Sequence, residues 1–212
     1  MQLTEIFYSL QGESTFAGLP CIFIRTAGCN LRCKYCDTTY SYQEGYSLSV
    51  EQIINEIKKY DPIKLVEVTG GEPLLQDDIY ELFDTLHKLG YKILLETNGS
   101  VFLNRVQDFV TKIVDVKAPG SGFEDSFLQE NLDYLRKDKD QIKFVISDRF
   151  DYTWSKNFIE NNKLQDHKVL FSLVLSSLQP RQLAEWIIED KLPVRLQLQL
   201  HKYIWEKDQR GV

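Results

Sequence analysis

The sequence predicts an α/β fold, in which helices cover a mostly parallel sheet that curves into a compact, partial (β/α)6-type barrel. Short apolar runs with the character of strands alternate with segments whose apolar residues recur at helical spacing. No internal repeat, low-complexity tract or linker divides the chain, so one domain is predicted over residues 1–212. In parallel barrels ligands bind where the strands end, so the loops after the strands are expected to carry the function.

The individual elements follow in order along the chain. Ser49 and Gln52 have the spacing of a capping box at the start of the first helix. Asp77 or Asp78 is the predicted cap of the second helix, and Gly90 is the residue expected to end it. The predicted strands are residues 21–25, 65–69, 93–96, 113–116, 142–146 and 169–175, and the later helices are residues 153–161 and 181–189.

A last strand is predicted at residues 194–200, where apolar and polar residues alternate strictly. Arg195, Gln197, Gln199 and His201 share its polar face. This face either lies in water at the edge of the sheet or forms a polar wall of a substrate cavity. Alternation by itself favours the solvated edge strand.

Composition limits the kinds of function. Apolar residues make up 43% of the chain and charged residues 26%, as in ordinary soluble globular proteins. The chain shows no export signal and no apolar run long enough to span a membrane, which predicts a cytoplasmic protein without a membrane partner. A net charge of −6 without a concentrated basic stripe predicts a small-molecule substrate and no nucleic acid.

Cys29, Cys33 and Cys36 form the most informative motif, with three residues and then two between them. Thiolates are soft ligands that suit iron–sulfur clusters, zinc or copper. Cubane clusters normally take four cysteines, so three would leave the fourth iron of a 4Fe-4S cluster open. An open iron is a place for chemistry, whereas a fully ligated cluster usually only carries electrons.

Two other uses of these cysteines are open. Cys33 and Cys36 alone resemble half of a zinc knuckle, and the protein would then be a zinc-stabilised binding module. Cys21 and His201 are further donors of suitable type, but they do not make a usual pair. Disulfides would close strained small loops in a chain with enough core not to need them. The cluster is favoured over zinc and zinc over disulfides, and Cys21 is expected to be a buried small hydrophobe.

Two polar loops follow the second and third predicted strands. Residues 69–73 read Thr-Gly-Gly-Glu-Pro, and paired glycines let the backbone come close to a ligand. Residues 96–99 read Glu-Thr-Asn-Gly, which also has the character of a turn. Because the cysteine loop follows the first of the predicted strands, all three loops are expected at one rim of the barrel.

The Cys-x3-Cys-x2-Cys spacing together with Gly-Gly-Glu-Pro resembles the radical S-adenosylmethionine (SAM) superfamily. The resemblance implies that SAM docks on the open iron and that an electron from the cluster cleaves it to a 5′-deoxyadenosyl radical. It implies no catalytic residue beyond the cluster and SAM. By match to the motifs of the superfamily, SAM is expected to contact Tyr35, Cys36, Asp37, Gly71, Glu96, Asn98, Asp115, Val116 and Lys117.

One stretch departs from the pattern of the superfamily. Some members have Ser-Pro-Lys where this chain has Asp115, Val116 and Lys117. The lysine is kept, so its SAM contact carries over. A contact from the serine hydroxyl is not assumed for Asp115.

Further motifs along the whole chain narrow the resemblance. They are Ser-Leu-Gln-Gly-Glu at residues 9–13, Ile-Arg at 24–25, Cys-Asp-Thr at 36–38, Gln-Leu-His-Lys-Tyr at 199–203 and Arg-Gly-Val at 210–212. Together they resemble the 7-carboxy-7-deazaguanine synthase family of queuosine and deazapurine biosynthesis. The resemblance implies a lyase that converts 6-carboxy-5,6,7,8-tetrahydropterin to 7-carboxy-7-deazaguanine with loss of ammonia.

The same resemblance implies a substrate site, a metal and partners. Arg25 would donate to the substrate carboxylate, and the Thr38 hydroxyl would bind Mg²⁺. A homodimer and a reductase or flavodoxin-type electron donor are also implied. The polar face of the last strand then becomes a wall of the cavity. The residues expected to bind the pterin are Leu10, Gln11, Gly12, Glu13, Arg25, Thr69 and His201.

The nearest alternative is a radical SAM activase that installs a glycyl radical on a partner protein. It would share the cysteine spacing and the small size. It would not be expected to carry Gln11, Gly12 and Glu13 with Arg25, or Gln-Leu-His near the end. These motifs therefore favour the synthase family.

Overall fold

The computed structural model describes residues 1–43, 45–206 and 209–212. The strands in these ranges are β1 Gln2–Leu10, β2 Pro20–Thr26, β3 Tyr46–Ser47, β4 Leu65–Gly70, β5 Lys92–Thr97, β6 Thr111–Asp115, β7 Gln141–Ile146, β8 Lys168–Leu173 and β9 Arg195–Leu196. The α-helices in the same ranges are α1 Val50–Ile57, α2 Asp78–Lys88, α3 Arg149–Asn161, α4 Pro180–Glu189 and α5 His201–Ile204.

These strands form one sheet in the order β3-β1-β2-β4-β5-β6-β7-β8-β9. Every neighbouring pair from β2 to β9 is parallel, whereas β1 runs antiparallel to both β2 and β3. The predicted α/β fold with a mostly parallel sheet is confirmed, and the six predicted strands correspond to β2 and to β4 through β8. The predictions omit β1, in which a register shift between Leu3 and Glu5 breaks the regular pairing.

The helix ends follow local side-chain chemistry. The capping box of α1 is confirmed, because Ser49 and Gln52 each accept a hydrogen bond from the other's backbone. Asp77 is the N-cap of α2, but its carboxylate pairs with Arg105 at 2.6 Å instead of capping. Helix α3 begins four residues earlier than predicted, because the Asp148 side chain accepts from the backbone N–H three residues on.

The two faces of the sheet differ in chemistry. Along β2, Ile22 and Ile24 are fully buried in the core beneath the helices, whereas Phe23 and Arg25 face the inside of the barrel. Burying an aliphatic side chain of this size contributes about 1.5–3 kcal/mol. The outer face therefore stabilises the fold, and the inner face is free to carry polar groups.

The predicted last strand is wrong in extent, because only Arg195 and Leu196 pair with β8. The chain then leaves the sheet, and the backbone N–H of Leu200 donates to the Gly12 carbonyl at 2.9 Å. Gln197 and Gln199 are buried, so the solvated edge strand is also wrong for these two side chains. No helix in the described ranges is long and apolar enough to cross a membrane.

Candidate active site

A cavity of about 510 Å³ opens where the parallel strands end. Its lining includes residues of the loops after β2, β4 and β5, of the loop after β1 and of the segment around α5. The predicted site residues that line it are Leu10, Gln11, Gly12, Glu13, Arg25, Cys29, Cys33, Tyr35, Cys36, Asp37, Thr38, Thr69, Gly71, Glu96, Asn98, Asp115, Lys117 and His201.

Val116 is the predicted site residue that does not line this cavity. Its side chain is buried in the hydrophobic core, and its N–H donates to the Lys143 carbonyl at 2.8 Å. Beside it, the Lys117 ammonium pairs with Asp115 Oδ2 at 2.9 Å. Asp115 is therefore held as one half of an ion pair, which a serine in its place would not be.

The three loop cysteines have free thiols at the cavity wall. Two donors approach Cys29 Sγ: the N–H of Leu31 at 3.4 Å and the side-chain amide of Asn98 at 4.0 Å. Burial raises the pKa of the Cys29 and Cys33 thiols. A metal that binds them must therefore displace protons.

These thiols fit an iron–sulfur cluster by the chemistry of the donor set. Cysteine thiolates are the usual protein ligands of such clusters. No three His, Cys, Asp or Glu side chains in the described ranges surround one point as a single metal ion requires. A polynuclear cluster does not need that arrangement, because each thiolate binds a different iron. Cys21, as predicted, is buried; it packs with Phe7 and Phe23 and does not itself line the cavity.

The glycine loop packs directly on the cysteine loop. The N–H of Gly71 donates to the Thr26 carbonyl at 3.1 Å, and the N–H of Glu72 donates to the Gly28 carbonyl at 2.8 Å. The fully buried Glu72 carboxylate also accepts from the N–H of Asn98 at 2.7 Å. The loops after β2, β4 and β5 are therefore held together as one unit.

Gly71→Ala should destabilise the protein through a steric clash. A Cβ at residue 71 would lie 1.9 Å from the Gly28 carbonyl oxygen, which cannot rotate away. We expect a loss of about 3 kcal/mol or more in unfolding free energy, measured by urea denaturation. Gly90→Ala is the control, because a Cβ at residue 90 would meet no atom within 4 Å. The left-handed backbone conformation at residue 90 should be the main cost of this substitution, about 1 kcal/mol. Equal losses at the two positions would contradict the clash.

Arg25, near the end of β2, lines the cavity beside an acidic partner. Its Nε donates to Glu5 Oε1 at 2.7 Å, and the Tyr40 hydroxyl donates to the same oxygen at 2.9 Å. Within the described ranges, Arg25 hydrogen-bonds through Nε and not through its two terminal amino groups. These amino groups can therefore serve a planar acceptor such as a carboxylate.

Gln11 links the loop after β1 to the barrel interior. Its amide oxygen accepts from the N–H of Glu13 at 2.7 Å, and its amide nitrogen donates to the Glu67 carboxylate. Burial, together with the charges of Glu96 and Glu13, raises the pKa of Glu67 well above its usual value. This environment favours the neutral form of Glu67.

Gly12 and His201 meet where the loop after β1 contacts α5. A Cβ at residue 12 would lie 2.4 Å from His201 Nδ1, so glycine allows the imidazole to pack against the backbone. The Gln199 amide donates to Glu13 Oε1 at 2.8 Å. Gln199 and His201, two polar residues of the predicted last strand, therefore form part of the cavity wall, as the family resemblance implies.

Thr38 and Asp37 lie next to each other at the mouth of the cavity. The Thr38 hydroxyl donates to Asp37 Oδ1 at 3.0 Å, and Asp37 Oδ2 pairs with Lys202 at 2.8 Å. Tyr35 lines the cavity on the cysteine-loop side, and its hydroxyl donates weakly to the Val145 carbonyl at 3.4 Å.

Among the charged residues that line the cavity, the sequence predictions omit Glu67 on β4 and Lys143 on β7, which lie within strands, and Lys202, Glu206 and Arg210 near the end of the chain. Lys143 Nζ lies 3.0 Å from Glu13 Oε2 and 3.5 Å from Asp115 Oδ2, and it also pairs with Glu96. A signal for Glu67 and Lys143 exists in the sequence. Each is a charged residue inside an otherwise apolar strand, and charges are rarely buried there unless they are paired.

The fold and this cavity together define the class of the protein. A model of the Radical SAM superfamily matches residues 23–119, which contain the three loop cysteines and the glycine loop. Thiols at the C-terminal rim of a partial parallel barrel, beside a glycine loop, are the arrangement of a radical SAM enzyme. Within this class, the chain belongs to the 7-carboxy-7-deazaguanine synthase family.

Relatives that carry this family name align along the whole chain. The relative from Koribacter versatilis is 45% identical, and the alignment covers 100% of both chains. The relative from Chlorobaculum tepidum is 43% identical, over 100% of this chain and 97% of its own. The relative from Thermoplasma acidophilum is 35% identical over 97% of both chains.

Solved structures support the fold. QueE from Escherichia coli superposes with a TM-score of 0.78 and 24% identity, covering 94% of both chains. Streptococcus suis SuiB bound to S-adenosylmethionine superposes with a TM-score of 0.55 and 14% identity. That alignment covers 84% of this chain and 51% of SuiB.

Proposed function

We propose that this chain converts 6-carboxy-5,6,7,8-tetrahydropterin to 7-carboxy-7-deazaguanine and ammonia in queuosine and deazapurine biosynthesis. The observation that carries the proposal is the shared cavity, in which three thiols and the glycine loop face Arg25 and Glu13. The name of the relatives supports the product. Product and ammonia together contain all atoms of the substrate, so SAM is re-formed and no net oxidant is needed.

The cluster and SAM occupy the part of the cavity formed by the loops after β2, β4 and β5. Cys29, Cys33 and Cys36 hold the 4Fe-4S cluster, and the donors at Cys29 stabilise its thiolate. When bound, the cluster supplies the electron that cleaves SAM.

The SAM-binding groups are mostly polar and come from several strand ends. Gly71 brings backbone close and Tyr35 offers an aromatic face, whereas Val116, which does not line the cavity, is left out of the set. The polar side chains that complete the set are Asp37, Glu96, Asn98, Asp115 and Lys117, beside Cys36.

The pterin occupies the wall formed by the loop after β1, β2 and α5. The amino groups of Arg25 bind the substrate carboxylate, and Glu13 accepts from the amino edge of the pterin. The remaining contacts come from the backbone of Leu10 and Gly12, the Gln11 amide, the Thr69 hydroxyl and His201. These residues bind and orient the substrate toward the thiols, which is catalysis by positioning.

Thr38 is the proposed protein ligand of Mg²⁺. Magnesium prefers oxygen and keeps several waters, so one protein hydroxyl together with the substrate carboxylate fits its usual coordination. Thr38→Ala should raise the Mg²⁺ concentration needed for half-maximal rate by roughly tenfold. Thr38→Ser keeps the hydroxyl and should behave like the unchanged protein. An unaltered magnesium dependence in Thr38→Ala would remove Thr38 from the metal site.

The proposal also includes partners and location. A homodimer, a reductase or flavodoxin-type electron donor, and a cytoplasmic setting belong to it. A reducing compartment suits an oxygen-sensitive cluster. Sedimentation equilibrium tests the dimer, and reduction of the reconstituted cluster by purified flavodoxin tests the donor.

Product analysis tests the proposed function directly. The reconstituted protein is incubated without oxygen with carboxytetrahydropterin, SAM, Mg²⁺ and a chemical reductant, and the products are separated by mass spectrometry. We expect a product lighter than the substrate by one ammonia, formed many times per SAM. Cleavage of SAM without any pterin-derived product would contradict the proposal.

A further inference from the structure

Lys143 lies on β7 inside the barrel, and its side chain is only 4% exposed. Its ammonium has three N–H donors and faces three carboxylates. Glu13 Oε2 lies at 3.0 Å and Asp115 Oδ2 at 3.5 Å, and Glu96 is the third partner. These acceptors come from the loop after β1 and from the ends of β5 and β6. One buried charge therefore joins parts of the chain that are distant in sequence.

We propose that Lys143 is a positioning residue that ties Glu13 to Glu96 and thereby couples the binding of the pterin to the binding of SAM. The inference rests on the proposed function, which assigns Glu13 to the pterin and Glu96 to SAM. Lys143 need not touch either ligand, because it acts through the two carboxylates. Each ligand fixes the position of its own carboxylate. Because both carboxylates bind the same ammonium, fixing one of them restricts the movement of the other.

The carboxylates depend on Lys143 to different degrees. Asp115 also pairs with Lys117 at 2.9 Å, so it keeps a cation when Lys143 is replaced. Glu13 and Glu96 have no second salt bridge within the described ranges. Replacing Lys143 with a neutral residue therefore leaves these two acidic groups without a paired cation. A buried carboxylate that loses its partner either moves or takes up a proton.

Glu13 is the carboxylate for which this dependence is plainest. Burial alone would raise the pKa of Glu13, yet the charges of Lys143 and His201 lower it to about 2. Without Lys143, burial is opposed mainly by His201, and the pKa of Glu13 rises. The groups that face Glu13 are Lys143 from β7, His201 from α5, Gln199 before α5, Gln11 in its own loop, and the acids Glu67 from β4 and Glu96 from β5.

Lys143→Met tests the proposal, because methionine keeps the length of the side chain and removes its charge. Lys112→Met is the matched control. Lys112 is equally buried on the neighbouring strand β6 and pairs with Asp140 at 3.3 Å, but it does not line the cavity. Both variants lose one buried ammonium that pairs with acidic groups, so a general effect of that loss appears in both. Thermal unfolding establishes that each variant is folded.

Anaerobic calorimetry gives the dissociation constants of SAM and of carboxytetrahydropterin, each alone and in the presence of the other. In the unchanged protein we expect each ligand to tighten the other several-fold. In Lys143→Met we expect both affinities to fall by roughly tenfold or more and the coupling to disappear. Lys112→Met should keep both affinities and the coupling.

The pH dependence provides a second readout. In Lys143→Met, pterin affinity should fall as the pH is lowered from about 8 to about 6, because Glu13 takes up a proton and stops accepting. Lys143→Arg restores the charge and should remove most of this dependence. If Lys143→Met does not fold, Lys143→Gln replaces it, since glutamine keeps hydrogen-bond donors without the charge.

Several results would overturn the inference. They are loss of affinity for only one ligand, coupling that survives in Lys143→Met, and equal changes in Lys112→Met. A protein that does not bind carboxytetrahydropterin at all would overturn the proposed function instead. SAM affinity would then still test the link between Lys143 and Glu96, and an unchanged value in Lys143→Met would overturn that link.

Discussion

Cys33→Ala is expected to leave the protein without a cluster and without turnover. Each thiolate of a cubane binds its own iron, so two remaining cysteines cannot hold a cluster that already lacks a fourth protein ligand. Iron after anaerobic reconstitution should fall from about four atoms per chain to background, and the brown colour should be lost with it. Iron analysis, the visible spectrum and SAM cleavage measure the outcome.

Cys21→Ala is the matched control for this experiment. Cys21 is fully buried with Phe7 and Phe23 and does not line the cavity. The variant should lose about 1 kcal/mol of stability but keep its iron and its turnover. An active, colourless Cys33→Ala protein would contradict the role of Cys33. One zinc per chain, with no iron, in the unchanged protein would favour the zinc-stabilised module.

The parallel part of the sheet is predictable because its strands carry their own signals. Strands β4 to β8 are short apolar runs, and the helices around them show caps and helical spacing. β1 has no comparable signal, because it is an irregular antiparallel strand whose place depends on β2 and β3. The last predicted strand fails for a related reason: contacts with Gly12 draw the chain out of the sheet after Leu196.

The candidate site shows the same division between local and tertiary information. Contiguous motifs identify the cysteine loop and the glycine loop, and the strand order brings them to one rim. Glu5 is different, because it reaches Arg25 only as its direct partner in the register of β1 on β2. Lys143 likewise meets Glu13 through tertiary structure, across 130 positions of sequence. Spacing alone cannot predict such pairs, although a charge within an apolar strand indicates where to look.

Arg25→Ala should weaken pterin binding strongly and leave SAM binding unchanged. A hydrogen bond to a charged group contributes about 1.5–3 kcal/mol, which corresponds to a loss of roughly ten- to hundred-fold in affinity. Arg25 lines the cavity at the end of β2, beside Glu5, whereas the proposed SAM contacts come from the loops after β2, β4, β5 and β6. Calorimetry with each ligand measures the two affinities separately. In steady-state kinetics, the KM for the pterin should rise in Arg25→Ala.

Two further variants sharpen this result. Arg25→Lys keeps the charge but cannot form two parallel hydrogen bonds, so its pterin affinity should lie between those of alanine and arginine. Arg105→Ala also removes an arginine that pairs with an aspartate, Asp77 at 2.6 Å, but on the exposed surface. It should change neither affinity, because exposed ion pairs contribute little. Equal losses of SAM and pterin binding in Arg25→Ala would show that Arg25 supports the cavity as a whole and does not select the carboxylate of the substrate.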